Sequence, residues 1–316
     1  REAQFLASIQ HPNIVNIRGW SSYGASGYTS GHHDGYFLIL DRLYETLKDR
    51  NKYWRKQVKK ITLMPSMIQQ KRQQILVDRL KIFADIASAL EYLHDRKLIY
   101  RDLKPNNLAF DIKGNIQIFD FGLAREIPQG TEDEAAINEV YDLSGGTGSL
   151  RYMAPEVAKH LPYNAKADVY GFAIMLYESL SLRKPFEGFT SDMMYEKVFL
   201  NGARPKLFSL ETSLPRNVFR LMTNSWAEDI QERPTMKEVH SILREAVVEQ
   251  EALVGLTAST SGRMSRRSSL SSLRRTSIGS TGSRSNTLSN SSVDDLHTIK
   301  KSDRRSSLLK RGSCGF

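Results

Sequence analysis

The sequence predicts an α+β fold with a small mixed segment at the front, a mainly helical body behind it and a basic tail without a core. Three observations carry this. Strand-like and helix-like apolar patterns mix before residue 44, helical spacing dominates from there to about Glu251, and apolar residues thin out sharply after Thr257. With 40% hydrophobic residues in 316 there is enough to bury one fair-sized core. The single cysteine, Cys314, excludes a disulfide framework and a Cys-x-x-Cys metal pair. With so little cysteine the chain reads as intracellular and cytoplasmic, with the nucleus left open, and no apolar run approaches the ~18 residues that span a bilayer.

The elements follow in order. Phe5, Leu6 and Ile9 fall at helical spacing, and the helix stops at His11-Pro12-Asn13, where proline disfavours helical geometry before it. Tyr36 to Leu40 is an unbroken apolar run of strand length. Lys48 to Lys60 holds seven Lys and Arg against Asp49 alone, which reads as a solvated loop or helix face. From Gln73 to His94, Leu76, Leu80, Phe83, Ala87 and Leu90 recur every three or four residues, the mark of a helix buried on a broad side. Two short strands, Leu108 to Phe110 and Ile116 to Phe119, flank the turn signal Asp111-Ile112-Lys113-Gly114-Asn115. Helical and loop patterns resume after Asp168.

The formal charge is +10, but it is unevenly placed. From Thr257 onward there are 12 Lys and Arg against 3 Asp and Glu, while residues 1–256 have 33 against 32. The same tail holds 18 Ser and 6 Thr and no aromatic before Phe316, too little apolar surface to offset the entropy of ordering, so disorder is expected there.

Two motifs bracket the hairpin. Tyr100-Arg101-Asp102-Leu103-Lys104-Pro105-Asn106-Asn107 precedes it and Asp120-Phe121-Gly122 follows. On these residues the chain resembles the eukaryotic protein kinases, whose catalytic loop carries Asp, four residues and Asn, and whose metal-binding motif is Asp-Phe-Gly. The resemblance implies a bilobal fold with partial small lobe 1–43, large helical lobe 44–252 and tail 253–316. It implies ATP and Mg²⁺ as cofactors, with Asn107 and Asp120 as metal ligands and Asp102 as the base that orients the acceptor hydroxyl. Lys104 matches the lysine with which serine/threonine kinases neutralise the transferring phosphate, so the acceptors are expected to be Ser or Thr of protein substrates. Tyr100 stands where His is commoner.

More of the resemblance follows in register. Gly146 to Glu156, ending Ala154-Pro155-Glu156, looks like the close of an activation segment, in which Thr147 matches the threonine that helps hold the catalytic Asp and Lys. Tyr141 and Ser144 are candidate switch sites there, with Arg101 as the clamp for a phosphate. Asp168 is expected to bind the backbone of the catalytic loop, and Arg233 to pair with Glu156, both structural roles. Upstream, Glu2 matches the helix glutamate that pairs with the nucleotide-binding lysine, Leu40 the residue at the rear of the nucleotide pocket, and Asp41 to Leu43 the hinge that meets adenine.

No G-x-G-x-x-G occurs and no lysine strand precedes Glu2. The first three strands of the small lobe are therefore absent from this chain, which reads as a truncated active kinase with weak ATP binding of its own. The competing class is a pseudokinase or scaffold acting through its basic tail. Unstructured positive charge attracts anionic surfaces generally, yet without aromatics to stack on bases no specific nucleic acid is expected. Within the kinase family, the tyrosine-kinase-like group is the nearest match. The tail repeats Arg266-Arg267-Ser268-Ser269-Leu270, Arg274-Arg275-Thr276-Ser277-Ile278 and Arg304-Arg305-Ser306-Ser307-Leu308. Two arginines before a serine suit an upstream basophilic kinase, which marks Ser269, Ser277 and Ser307 as phosphosites. Glu178 leaves self-modification open.

Overall fold

In a computed structural model of the chain, residues 2–21, 37–62, 68–127, 139–208 and 210–272 are described, without the side chains of 61, 62 and 257–272. Helix α1 (Glu2–Ser8) buries Phe5 and Leu6 and ends before Pro12. The segment after it runs beside the later hairpin: Val15 N–H donates to Ile118 O, Ile118 N–H to Asn13 O, and the Gln117 side chain to Pro12 O. Strand β1 (Ile17–Trp20) then pairs antiparallel with β2 (Leu38–Leu40), with a bulge between Ile17 and Gly19. Tyr36, the first residue of the predicted strand, lies outside the described residues.

Strand β3 (Glu45–Thr46) leads directly into α2 (Leu47–Thr62), so the basic run is a helix face. Leu47, Asn51 and Trp54 point inward while Lys48, Lys52, Lys56, Lys59 and Lys60 stay exposed, the division an amphipathic helix requires. Helix α3 (Ile68–Asp95) begins five residues before Gln73 and buries Val77, Leu80, Phe83, Ala87 and Leu90. Strand β4 (Leu98–Ile99) pairs with β7 (Arg125–Glu126). Between them β5 (Leu108–Phe110) and β6 (Ile116–Ile118) form the predicted hairpin, extended by β3 in the order β3-β5-β6. Asp111 makes the turn, its Oδ1 accepting from both Lys113 N–H and Asn115 N–H.

The body closes around two helices. A short helix, α4 (Pro155–Ala158), precedes α5 (Lys166–Ser181), which is buried along its whole length from Lys166 to Leu180. Phe172 of α5 meets Phe83 of α3 edge to face at 5.4 Å. At the C-terminal end of α5, the buried Arg79 guanidinium donates to Ser179 O and Leu180 O at 2.8 and 3.1 Å. It satisfies carbonyls that a helix end leaves open, and burial pulls its pKa down to about 10. Helix α6 (Ser191–Met193) continues as a π-helical stretch (Met194–Leu200) and is followed by α7 (Leu210–Ser213) and α8 (Arg216–Ser225).

The last helix, α9 (Met236–Ser272), continues past residue 252. The chain divides into two units, Arg1–Ser265 and Arg266–Phe316, the second described only as far as Ser272. Among the described residues no helix is long and apolar enough to cross a membrane.

Glu156 of α4 and Arg233, which precedes α9, form a bidentate pair at 2.6 and 2.9 Å, with no part of the arginine side chain exposed. Its remaining donors reach Ala227 O, Lys166 O and Glu228 O. Because this charge is satisfied only as a set, Arg233→Ala is expected to lower stability by about 3–5 kcal/mol. Arg233→Met with Glu156→Gln should recover a substantial part, both read as shifts of the denaturant midpoint.

Candidate active site

The loop from Tyr100 to Asn107 joins β4 to β5 and is held from below by Asp168 in the first turn of α5. Tyr100 N–H donates to Asp168 Oδ2 and Arg101 N–H to Oδ1, each at 2.8 Å, and His94 Nε2 lies 2.9 Å from Oδ2. Arg101 takes a left-handed conformation, φ 71°. The next residue, Asp102, is 6% exposed and each of its oxygens is engaged. Oδ2 accepts from Lys104 Nζ at 2.5 Å and Asn107 Nδ2 at 2.9 Å, and Oδ1 from the N–H and hydroxyl of Ser149 at 3.0 and 2.9 Å.

Thr147, expected to make that last contact, does not. Its hydroxyl donates to Ser144 O at 3.2 Å. The reason lies at Gly148, which has φ +99° and lies so close to the loop that an added Cβ would sit 2.5 Å from Arg101 O. Only glycine permits that approach, and the first hydroxyl after it belongs to Ser149. Reading Gly148-Ser149, rather than Gly146-Thr147, as the glycine and hydroxyl before the Ala-Pro-Glu end would have found it.

Asn107 spends its amide hydrogens on Asp102, donating to Asp102 O as well at 3.1 Å. Its Oδ1 has no partner among the described residues. Asp120 is exposed, has φ 65°, and its carboxylate is likewise without a hydrogen bond or ion pair among the described residues. Two uncommitted hard oxygens suit Mg²⁺, which takes carboxylate and carbonyl ligands. Phe121 is buried against Tyr100, rings 5.2 Å apart and near perpendicular. The Tyr100 hydroxyl donates to Phe119 O at 2.5 Å, and burial holds its pKa well above that of a free phenol. Tyrosine here thus ties the catalytic loop to the residue before Asp120. Glu2 reaches the same place, its Oε1 accepting Phe121 N–H at 3.0 Å.

At the hinge, Asp41 N–H donates to Asn16 O, and its carboxylate faces Arg18 and Asn16 at 2.5 to 3.0 Å. Those contacts keep it below the usual carboxylate range, Arg18 foremost. The side chain is thereby turned onto β1. Asp41 C=O and Leu43 N–H have no hydrogen-bond partner among the described residues, which leaves an acceptor and a donor of the kind a flat purine edge requires. Leu40 is half-buried on the core beside them.

The activation segment is described from Glu139. Tyr141 pairs through its backbone with Tyr163 and through its hydroxyl with Glu139. The Arg101 guanidinium donates to the Ser144 hydroxyl at 2.8 Å, to the Tyr163 hydroxyl at 3.0 Å and to Leu123 O at 2.7 Å. Ser277 and Ser307 lie outside the described residues, as does the side chain of Ser269.

A carboxylate held by lysine and amide, candidate metal-ligand oxygens on either side of a hairpin, and a donor–acceptor edge at the hinge belong to one family. The profile of the protein kinase domain matches residues 1–243. This chain belongs to the protein kinase family. A Dictyostelium discoideum protein named a probable serine/threonine-protein kinase is 32% identical over 245 residues, 77% of this chain and 16% of that protein. Mitogen-activated protein kinase kinase kinase 7 of Drosophila melanogaster is 29% identical over 251 residues, 78% of this chain and 31% of its own length. Serine/threonine-protein kinase STY17 of Arabidopsis thaliana is 34% identical over 170 residues, 54% of this chain and 28% of its own. The chain thus spans less than a third of the length of each of these relatives.

Gly148 offers a direct test of the packing that builds the site. Gly148→Ala must combine a left-handed φ with a clash on backbone, and is expected to lower stability by about 1–3 kcal/mol, read as a fall in Tm.

Proposed function

We propose that the protein carrying this kinase domain transfers the γ-phosphate of ATP to Ser or Thr hydroxyls of protein substrates. The observation that supports this most is Asp102, a carboxylate whose two oxygens are aimed by Lys104, Asn107 and Ser149. Mg²⁺, when bound, supplies counter-charge for the phosphates, and Asn107 Oδ1 and Asp120 are the residues that would hold it. Asp102 orients the acceptor hydroxyl and takes its proton. The acceptor oxygen bonds to the γ-phosphorus as the bond from that phosphorus to the β–γ bridging oxygen breaks, its electron pair leaving with ADP. Lys104, an ammonium beside Asp102, stands where the moving phosphoryl group carries negative charge. Asp41 C=O and Leu43 N–H would meet the purine, with Leu40 behind it, and Glu2 anchors the backbone at Phe121.

Control belongs to the same reading. A phosphate on Ser144 would meet the Arg101 guanidinium that already bonds its hydroxyl, gaining charge-assisted hydrogen bonds. Tyr141, tied only to Glu139 and the Tyr163 backbone, is the second candidate. Ser269, Ser277 and Ser307 are assigned to a separate, basophilic kinase, and the setting to the cytoplasm.

The test is transfer of labelled γ-phosphate to a protein acceptor by the full-length protein. Asp102→Asn is expected to lower the rate by at least about a hundredfold. Ser149→Ala should lower it about tenfold, the value of one hydrogen bond to a charged group, and Thr147→Ala less than about twofold. Undiminished transfer in Asp102→Asn overturns the proposal.

A further inference from the structure

Beside Asp102 lies an open groove of about 730 Å³, and its walls are strongly one-signed. It runs between the start of α2, the end of the catalytic loop at Lys104 to Asn106, the Ser149 to Tyr152 segment and the turn after α5. Seven Lys and Arg line it against two carboxylates, although the body as a whole is nearly neutral.

The two carboxylates do little to cancel that charge. Glu178 is 8% exposed and its Oε2 accepts the Tyr152 hydroxyl at 2.6 Å, so the glutamate that left self-modification open is committed inside the protein. Burial raises its pKa, against the pull of Arg151, Arg55 and Lys184 nearby. Glu187 is exposed at the end of the turn. Of the seven cations, Lys52 is paired with Asp49 at 2.9 Å and Lys104 with Asp102 at 2.5 Å, while the other five have no carboxylate partner among the described residues. Arg55 and Arg151 donate to neutral backbone carbonyls, Leu182 O for the first and Pro185 O and Phe186 O for the second, which pins the turn without neutralising either guanidinium. The exposed ammonium groups of Lys48 and Lys184 form no salt bridge or hydrogen bond among the described residues.

We propose that this groove selects acceptor peptides bearing acidic or phosphorylated side chains next to the Ser or Thr, with Lys48 and Lys184 as the selecting charges. The inference rests on the kinase reading above and adds the substrate class to it. It also assigns the Arg-Arg-Ser repeats of the tail to another enzyme, because two guanidinium groups would enter a groove already lined by cations.

The test uses the full-length protein and three serine peptides of equal length: one flanked by Glu, one flanked by phosphoserine, and one copying Arg266 to Leu270. kcat/KM for either anionic peptide is expected to exceed that of the tail copy by about tenfold or more at low salt, with the gap narrowing as salt rises. Lys48→Glu combined with Lys184→Glu should reverse the order. The better of the two anionic peptides identifies the partner group as carboxylate or phosphate. Equal or better use of the tail copy, or an order unchanged in the double variant, overturns the proposal. Fluorescence anisotropy of the same labelled peptides reads the order without catalysis. Absence of transfer to every peptide and protein acceptor therefore sinks the kinase reading, while anisotropy still decides the groove.

Discussion

The carboxylate of Asp168 is the constraint on which the rest of this active site depends. Its side chain is 2% exposed, and a buried carboxylate persists only when its oxygens are bonded. Here the bonds come from two consecutive backbone N–H groups and a histidine, and the two amides are those of Tyr100 and Arg101. Binding both at once holds Arg101 in a left-handed conformation that an arginine rarely adopts unaided. That turn presents Asp102 toward Lys104, Asn107 and Ser149, and brings Arg101 O against Gly148. The position of Asp168 is itself set by α5, which is buried along its length and closed at its far end by Arg79. A helix buried along nearly its whole length thus fixes the catalytic loop, which suits the tolerance that phosphoryl transfer demands.

The other pieces reach the site by polar bonds between segments remote in sequence. Glu2 holds Phe121 across 119 positions, Gln117 holds Pro12 across 105, and Arg233 holds Glu156 across 77. Each bond fixes a backbone or a buried charge, so each is tolerant of what lies on the surface around it. The link from Glu2 to Phe121 has a further effect: a shift of α1 moves the residue after Asp120, which connects the front of the chain to a candidate metal ligand through a single hydrogen bond.

Much of this was legible in sequence because it is local. Apolar spacing located α1 and α3, the Asp111 to Asn115 turn located the hairpin, and the motifs on either side located Asp102, Asn107 and Asp120. What was missed depends on neighbours that only the folded chain supplies. Choosing between Thr147 and Ser149 required knowing which glycine packs against Arg101 O. Glu178 read as an available acid because nothing in its own helix reveals that Tyr152 occupies it. Arg79 carries no signal of its role in sequence, and its guanidinium is buried against the last carbonyls of α5.

Charge shows the same distinction between a total and a place. A formal +10 describes a tail with 12 cations and a body that is close to neutral, yet the body's charges are sorted. Carboxylates such as Glu156, Asp168 and Glu178 are turned inward, onto Arg233, loop amides and a tyrosine, where they hold the structure. Cations such as Lys48, Lys184 and Arg183 remain at the surface of one groove. Near-neutrality of the whole therefore coexists with a positive field at the point where a substrate would enter. Since the unmodified tail has the same sign as that groove, attraction between them has no electrostatic source. Phosphate at Ser269, Ser277 and Ser307, each adding ~−1.5 to −2, would cancel half or more of the tail's charge and so weaken that repulsion without reversing it.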